Sequence, residues 1–120
     1  MNANSVFSLH IPTRILFGCG EIKKLATEIL PGKKAMIIIS GGTSMKKYGY
    51  LDKVTSFLTE NDVASIVYDK ILPNPIKSHV MEAAAICREQ GCDFIIGLGG
   101  GSTIDSAKAI AVMACNDGDF

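Results

Sequence analysis

Five consecutive apolar residues, Ala35-Met36-Ile37-Ile38-Ile39, constrain this chain more than any other feature. A strand with one face in water alternates apolar and polar residues. An unbroken apolar run therefore implies a strand covered on both faces, as in a parallel sheet sandwiched between helices. Residues 63–68 and 93–98 fit the same role. Between and after these runs the apolar residues recur at helical spacing. Tyr50, Leu51, Val54, Phe57 and Leu58 form one set, Ile76, Val80, Ala83, Ala84 and Cys87 a second, and Ile104, Ala107, Ala111 and Ala114 a third. The alternation predicts an α/β fold: a doubly wound, mostly parallel, Rossmann-like sheet.

The amino-terminal part reads differently. Within residues 5–17, Phe7, Leu9 and Ile11 alternate, Pro12 interrupts, and Arg14-Ile15-Leu16-Phe17 follows, a pattern that predicts an edge hairpin. From Glu21 the positions Ile22, Leu25, Ala26, Ile29 and Leu30 predict a helix stopped by Pro31-Gly32.

A chain of 120 residues is expected to form one domain, residues 1–120, with an ordinary core. Its 12 Lys+Arg balance its 12 Asp+Glu, so the basic excess of a nucleic-acid protein is missing. No run approaches the roughly 18 apolar residues that span a bilayer, and the opening residues lack a basic, then apolar, signal-peptide pattern. No nucleic-acid or membrane partner is expected, and a cytoplasmic location is. Cys19, Cys87, Cys92 and Cys115 contain no CxxC pair and are expected to be small buried thiols.

The strongest chemical signal is Gly97-Leu98-Gly99-Gly100-Gly101-Ser102-Thr103-Ile104-Asp105, placed where a strand's carboxyl end meets a helix N-terminus. Three glycines let backbone N–H groups approach a pyrophosphate, and the helix start adds orphan donors and a positive dipole end. Ser102 and Asp105 also read as a capping box. No Gly-Lys-Ser/Thr follows, so this is no P-loop. After the first inner strand, Ser40-Gly41-Gly42-Thr43-Ser44 offers hydroxyls and open backbone near Lys46 and Lys47. The acidic residue that would accept from the ribose hydroxyls of NAD is missing there, so a 2′-phosphate is tolerated. Pro73-Asn74-Pro75 follows the second inner strand and supplies a rigid wall on the same sheet edge. His10 and His79 have no partner at metal-site spacing, and there is no GxSxG elbow. Asp105 either orients a substrate hydroxyl or caps its helix.

Together these residues resemble the N-terminal domain of the iron-containing (group III) alcohol dehydrogenase family. The resemblance covers nearly the whole chain. It rests on Pro12-Thr13-Arg14-Ile15-Leu16-Phe17-Gly18, on Gly41-Gly42-Thr43-Ser44-Met45-Lys46-Lys47 with Gly49, on Pro73-Asn74-Pro75, and above all on Gly99-Gly100-Gly101-Ser102-Thr103-Ile104-Asp105-Ser106-Ala107-Lys108. It implies an NAD(P)-binding domain in which Gly99, Gly100, Gly101 and Ser102 hold the pyrophosphate. Pro73 and Pro75 would line the adenine side, and Asp105 would face the nicotinamide and substrate. Relatives that use NAD often carry Asp where Gly42 stands; the Gly-Gly-x-Ser here resembles the NADP-preferring branch, with Ser44 beside the 2′-phosphate.

The same resemblance implies a small alcohol or aldehyde substrate, a homo-oligomer, and a divalent metal, Fe or Zn. The metal ligands would lie in a second, all-helical domain absent from this chain, which is then expected to be the N-terminal part of a longer enzyme and inactive alone. Faces around Ala109 to Cys115 and Phe120 would be left open to self-association. A free-standing nucleotide-binding or interaction module without catalysis is the alternative.

Overall fold

The computed structural model describes residues 5–42, 46, 48–74 and 76–116. Three strands, β1 (Lys34–Ser40), β2 (Ala64–Ile71) and β3 (Phe94–Gly97), form one parallel sheet in the order β2-β1-β3. The central place of β1 explains its composition, because residues 35–39 are fully buried from both faces. Neighbouring side chains on a strand point to opposite faces, so β1 feeds two cores. Met36 and Ile38 enter one, and Ala35, Ile37 and Ile39 the other.

Three helices cover the sheet: α1 (Tyr50–Glu60), α2 (Lys77–Glu89) and α3 (Gly101–Cys115). Val54 and Leu58 of α1 pack on the Ile37 side, with Leu25 and Leu30. Val80, Ala83 and Ala84 of α2 and Ala107, Ile110 and Met113 of α3 pack on the Met36 side. Helices thus lie on both faces, as the doubly wound reading requires. Small residues let α3 come close: a Cβ built on Gly97 would stand 3.0 Å from the Ala107 Cβ. No helix among the described residues is long and apolar enough to cross a membrane.

The amino-terminal expectations need correction. Residues 5–17 form no strand. An alternating pattern supplies a strand's face but not its ladder, and no neighbouring strand meets this segment among the described residues. Its apolar side chains stay in solvent, Phe17 at 96% exposure. The helix expected to run to Leu30 is instead a 3-10 helix over Glu21–Ala26. The Asn61 side-chain amide donates to the carbonyls of Leu25 and Glu28, both at 2.8 Å, and so closes the helix from outside before Pro31 is reached. The thiols also divide: Cys87 is buried and Cys92 half-buried, whereas Cys19 and Cys115 are exposed. The exposed pair belongs to the Gly18-Cys19-Gly20 turn and to the last residue of α3, places that no core element covers. Ile110 and Met113 of α3 are buried, while Val112 is 59% exposed.

Candidate functional site

The loops after β1, β2 and β3 gather at the carboxyl edge of the sheet. The helix after β1 lies on one face and the helix after β3 on the other. Adjacent strands whose connections part in this way leave a crevice between them, where open α/β sheets take ligands. Gly41, Gly42, Pro73, Asn74, Gly99, Gly100, Gly101 and Ser102 all border that edge. Thr43, Ser44 and Pro75, expected to contribute, lie outside the described residues. The edge is pinned by backbone: Gly41 N–H donates to the Ile71 carbonyl at 2.8 Å, and Leu98 N–H to the Ile38 carbonyl at 2.9 Å.

The three turn glycines have separate tasks. Gly99 adopts φ +147°, and a Cβ there would also crowd Thr103 Oγ1 at 3.1 Å, so its lack of a side chain serves the turn itself. Gly100, with φ −84°, could carry any side chain without strain. A Cβ built on Gly100 or Gly101 meets nothing within 4 Å. Those two positions therefore leave open space at a helix N-terminus that the described residues do not fill. The first helical bond runs from Ile104 N–H to the Gly100 carbonyl at 3.0 Å. The amides of Gly101, Ser102 and Thr103 precede it and have no intrahelical acceptor. No acidic side chain occupies the first turn, and no side chain caps it.

The capping box between Ser102 and Asp105 does not form. Helix α3 begins at Gly101, next to Ser102 as expected, but its N-cap is Gly100, which makes Ser102 its second residue instead of its cap. Its hydroxyl donates outward to the Pro73 carbonyl at 2.7 Å, tying the glycine turn to the proline loop. Asp105 is exposed one turn into the helix. Nothing in the sequence signals the contact to Pro73, because the partner is a backbone carbonyl 29 residues away.

Lys46 was expected to offer a cation to a 2′-phosphate. In the structure its ammonium pairs with Asp69 of β2 at 2.6 Å, both partners being half exposed. That hydrogen bond, opposed by some burial and helped by the lysine charge, holds the Asp69 carboxyl below the usual carboxylate range. The Asp69 backbone carbonyl also lies 3.3 Å from a Cβ built on Gly41, so the pair stands beside the first loop. Among the described residues, no group of three or more His, Cys, Asp or Glu side chains is arranged to hold a metal ion.

Comparison with known proteins agrees with this geometry. The family model described as "Iron-containing alcohol dehydrogenase" matches residues 12–120. Over 113 residues the chain is 40% identical to the probable NADH-dependent butanol dehydrogenase 1 of Bacillus subtilis, covering 94% of this chain and 29% of that protein. Over 108 residues it is 44% identical to the NADPH-dependent aldehyde reductase YqhD of Escherichia coli, covering 90% of this chain and 27% of that protein. The crystal structure of NADH-dependent butanol dehydrogenase A from Thermotoga maritima superposes with a TM-score of 0.85 at 37% identity, over 95% of this chain and 29% of that one. The chain spans under a third of the length of these relatives and matches their Rossmann-like N-terminal domain. With the strand order, the glycine turn and the sequence all in agreement, the chain belongs to the iron-containing alcohol dehydrogenase family.

Proposed function

We propose that this chain is the dinucleotide-binding part of an NAD(P)-dependent, metal-dependent alcohol dehydrogenase acting on a small alcohol or aldehyde. The observation that carries the reading is the open space over Gly100 and Gly101, at a helix start whose first amides have no acceptor. Those amides and the dipole end bind the pyrophosphate. Gly99 provides the turn that aims them. Ser102 contributes its amide, while its side chain fixes the proline loop, so Pro73, Asn74 and Pro75 form a rigid wall for the adenine. Gly41, Gly42, Thr43 and Ser44 take the adenosine ribose, and the missing acid there favours NADPH over NADH. Asp105 faces the nicotinamide side. When bound, the nicotinamide ring accepts or donates the hydride. By the family resemblance, the expected Fe or Zn would be held by a further domain of the longer enzyme. On this reading the chain binds cofactor but does not turn over alcohol by itself, and it works within a homo-oligomer.

Fluorescence titration of the purified chain with NADPH and NADH tests the reading. Saturable binding, tighter for NADPH, is expected. Tighter NADH binding would overturn the cofactor preference, and binding of neither would overturn the site.

A further inference from the structure

Cys87 and Cys92 are five residues apart in sequence, and the end of α2 brings them together. The helix closes with Gly91 at φ +65°, Cys92 N–H donating to the Cys87 carbonyl at 3.0 Å and Gly91 N–H donating to the Arg88 carbonyl at 3.2 Å. These are the paired bonds of a Schellman motif, whose first and last residues place their side chains against each other. Ordinarily two hydrophobes meet there; here two thiols do. Cys87 Sγ lies 4.0 Å from the Cys92 carbonyl oxygen, and both cysteines line one cavity of about 150 Å³ between the end of α2, the start of β3 and the end of α3. Cys115, on α3, lines the same cavity and opens to solvent. The place is the amino edge of the sheet, away from the glycine turn.

We propose that Cys87 and Cys92 form a closable dithiol, oxidised by hydroperoxides to an intramolecular disulfide. Cys92, the more exposed of the two, attacks a peroxide oxygen as its thiolate. The O–O bond breaks, leaving a Cys92 sulfenic acid and an alkoxide, or hydroxide from hydrogen peroxide, which takes up the proton that the Cys92 thiol gave to solvent and departs as an alcohol or water. The Cys87 sulfur then attacks the Cys92 sulfur, the S–O bond breaks, and the oxygen leaves as water with the Cys87 proton. Two thiols lose two electrons and the peroxide gains them. Thiol exchange with a small dithiol or glutathione reverses the change.

The surroundings sort the roles. Burial pushes the Cys92 thiol up, Lys34 and the Cys87 thiol work against that push, and Asp93 adds to it. Burial also pushes Cys87 up, and there the Cys92 and Cys115 thiols add to it, with only Arg88 opposing. Cys92 is thus the sulfur whose thiolate has support, and Cys87 the one that stays protonated until it resolves the sulfenic acid. Since both stand above the ordinary thiol range, closure speeds up as pH rises.

The test is to treat the full chain with hydrogen peroxide, alkylate it and map it with trypsin. Alkylatable thiols should fall from the four in the sequence to two, with a mass loss of about 2 Da. Peptides 78–88 and 89–108 should be linked. Cys19→Ser and Cys115→Ser should leave that link in place, and Cys92→Ser should abolish it. Phenylarsine oxide, which must bridge two nearby thiols, should bind the reduced chain one to one and fail to bind Cys92→Ser. Four thiols still alkylated, a link through Cys19 or Cys115, disulfides only between chains, or no arsenical binding would each overturn the proposal.

Discussion

The Ser102 hydroxyl donates to the Pro73 carbonyl oxygen at 2.7 Å, and so joins the first turn of α3 to the loop after β2. The two loops belong to strands that do not touch, since β1 lies between β2 and β3. This bond holds the proline loop to the glycine turn across the width of the sheet. A second hydroxyl, that of Ser106, donates to the Ser102 carbonyl at 2.8 Å and steadies the same turn.

Ser102→Ala should therefore weaken dinucleotide binding while leaving the fold intact. An exposed hydrogen bond contributes about 1 kcal/mol, so the dissociation constant should rise about fivefold. Fluorescence titration reads it. An unchanged constant, with an unchanged melting temperature, would show that the loop needs no tie.

Gly101→Val and Gly97→Val should separate binding from folding. The Gly101 side chain would enter open space, so that variant should keep nearly its full melting temperature and lose cofactor binding. At Gly97 a Cβ would press on Ala107 at 3.0 Å, and overpacking of this kind costs about 1–3 kcal/mol. Urea unfolding alongside the titration distinguishes the two.

Asp69→Asn should release Lys46 toward the first loop and raise the preference for NADPH over NADH by about fivefold, roughly 1 kcal/mol of added attraction for a partly screened phosphate. The stability lost should stay below about 1 kcal/mol, because the pair is half exposed. Its pH dependence has a defined sign. The Asp69 carboxyl is held below its ordinary value of 3.8, so the pair's contribution is present above that value and is lost as pH falls below it. The stability difference between wild type and variant should be constant near neutrality and shrink in acid.

Asp93→Ala should destabilise the domain without touching the cofactor site. Asp93 Oδ2 accepts from the backbone N–H groups of Lys33 and Lys34 at 2.8 and 3.1 Å, closing the amino ends of β1 and β3 together. Losing both hydrogen bonds should cost about 1–3 kcal/mol. The drop should appear in urea unfolding, with the cofactor dissociation constant unchanged.

Hydrophobic period carried most of the fold. Residues 35–39 announce a strand buried from both sides because only a central parallel strand excludes water from every side chain, and the three helical sets need only one covered face each. The glycine turn was also legible, because backbone freedom where a strand runs into a helix is a local property of Gly99, Gly100 and Gly101. Other features were beyond the reach of local pattern. Residues 5–17 alternate as a strand should, yet a strand exists only where another supplies its ladder. The 3-10 helix stops where the Asn61 amide takes the carbonyls of Leu25, within it, and Glu28, just past it, 36 and 33 residues away. Ser102 reads as a helix cap by spacing, but its hydroxyl chose a carbonyl on another loop; Lys46 reads as a free cation until Asp69 is brought beside it. By itself the sequence determined which segments bury their faces and where the chain turns, since both follow from neighbours along the chain. Only the tertiary structure decided which polar groups and which thiols meet, because hydrogen bonds, ion pairs and sulfur contacts act over a few ångströms and depend on which distant residues folding sets side by side.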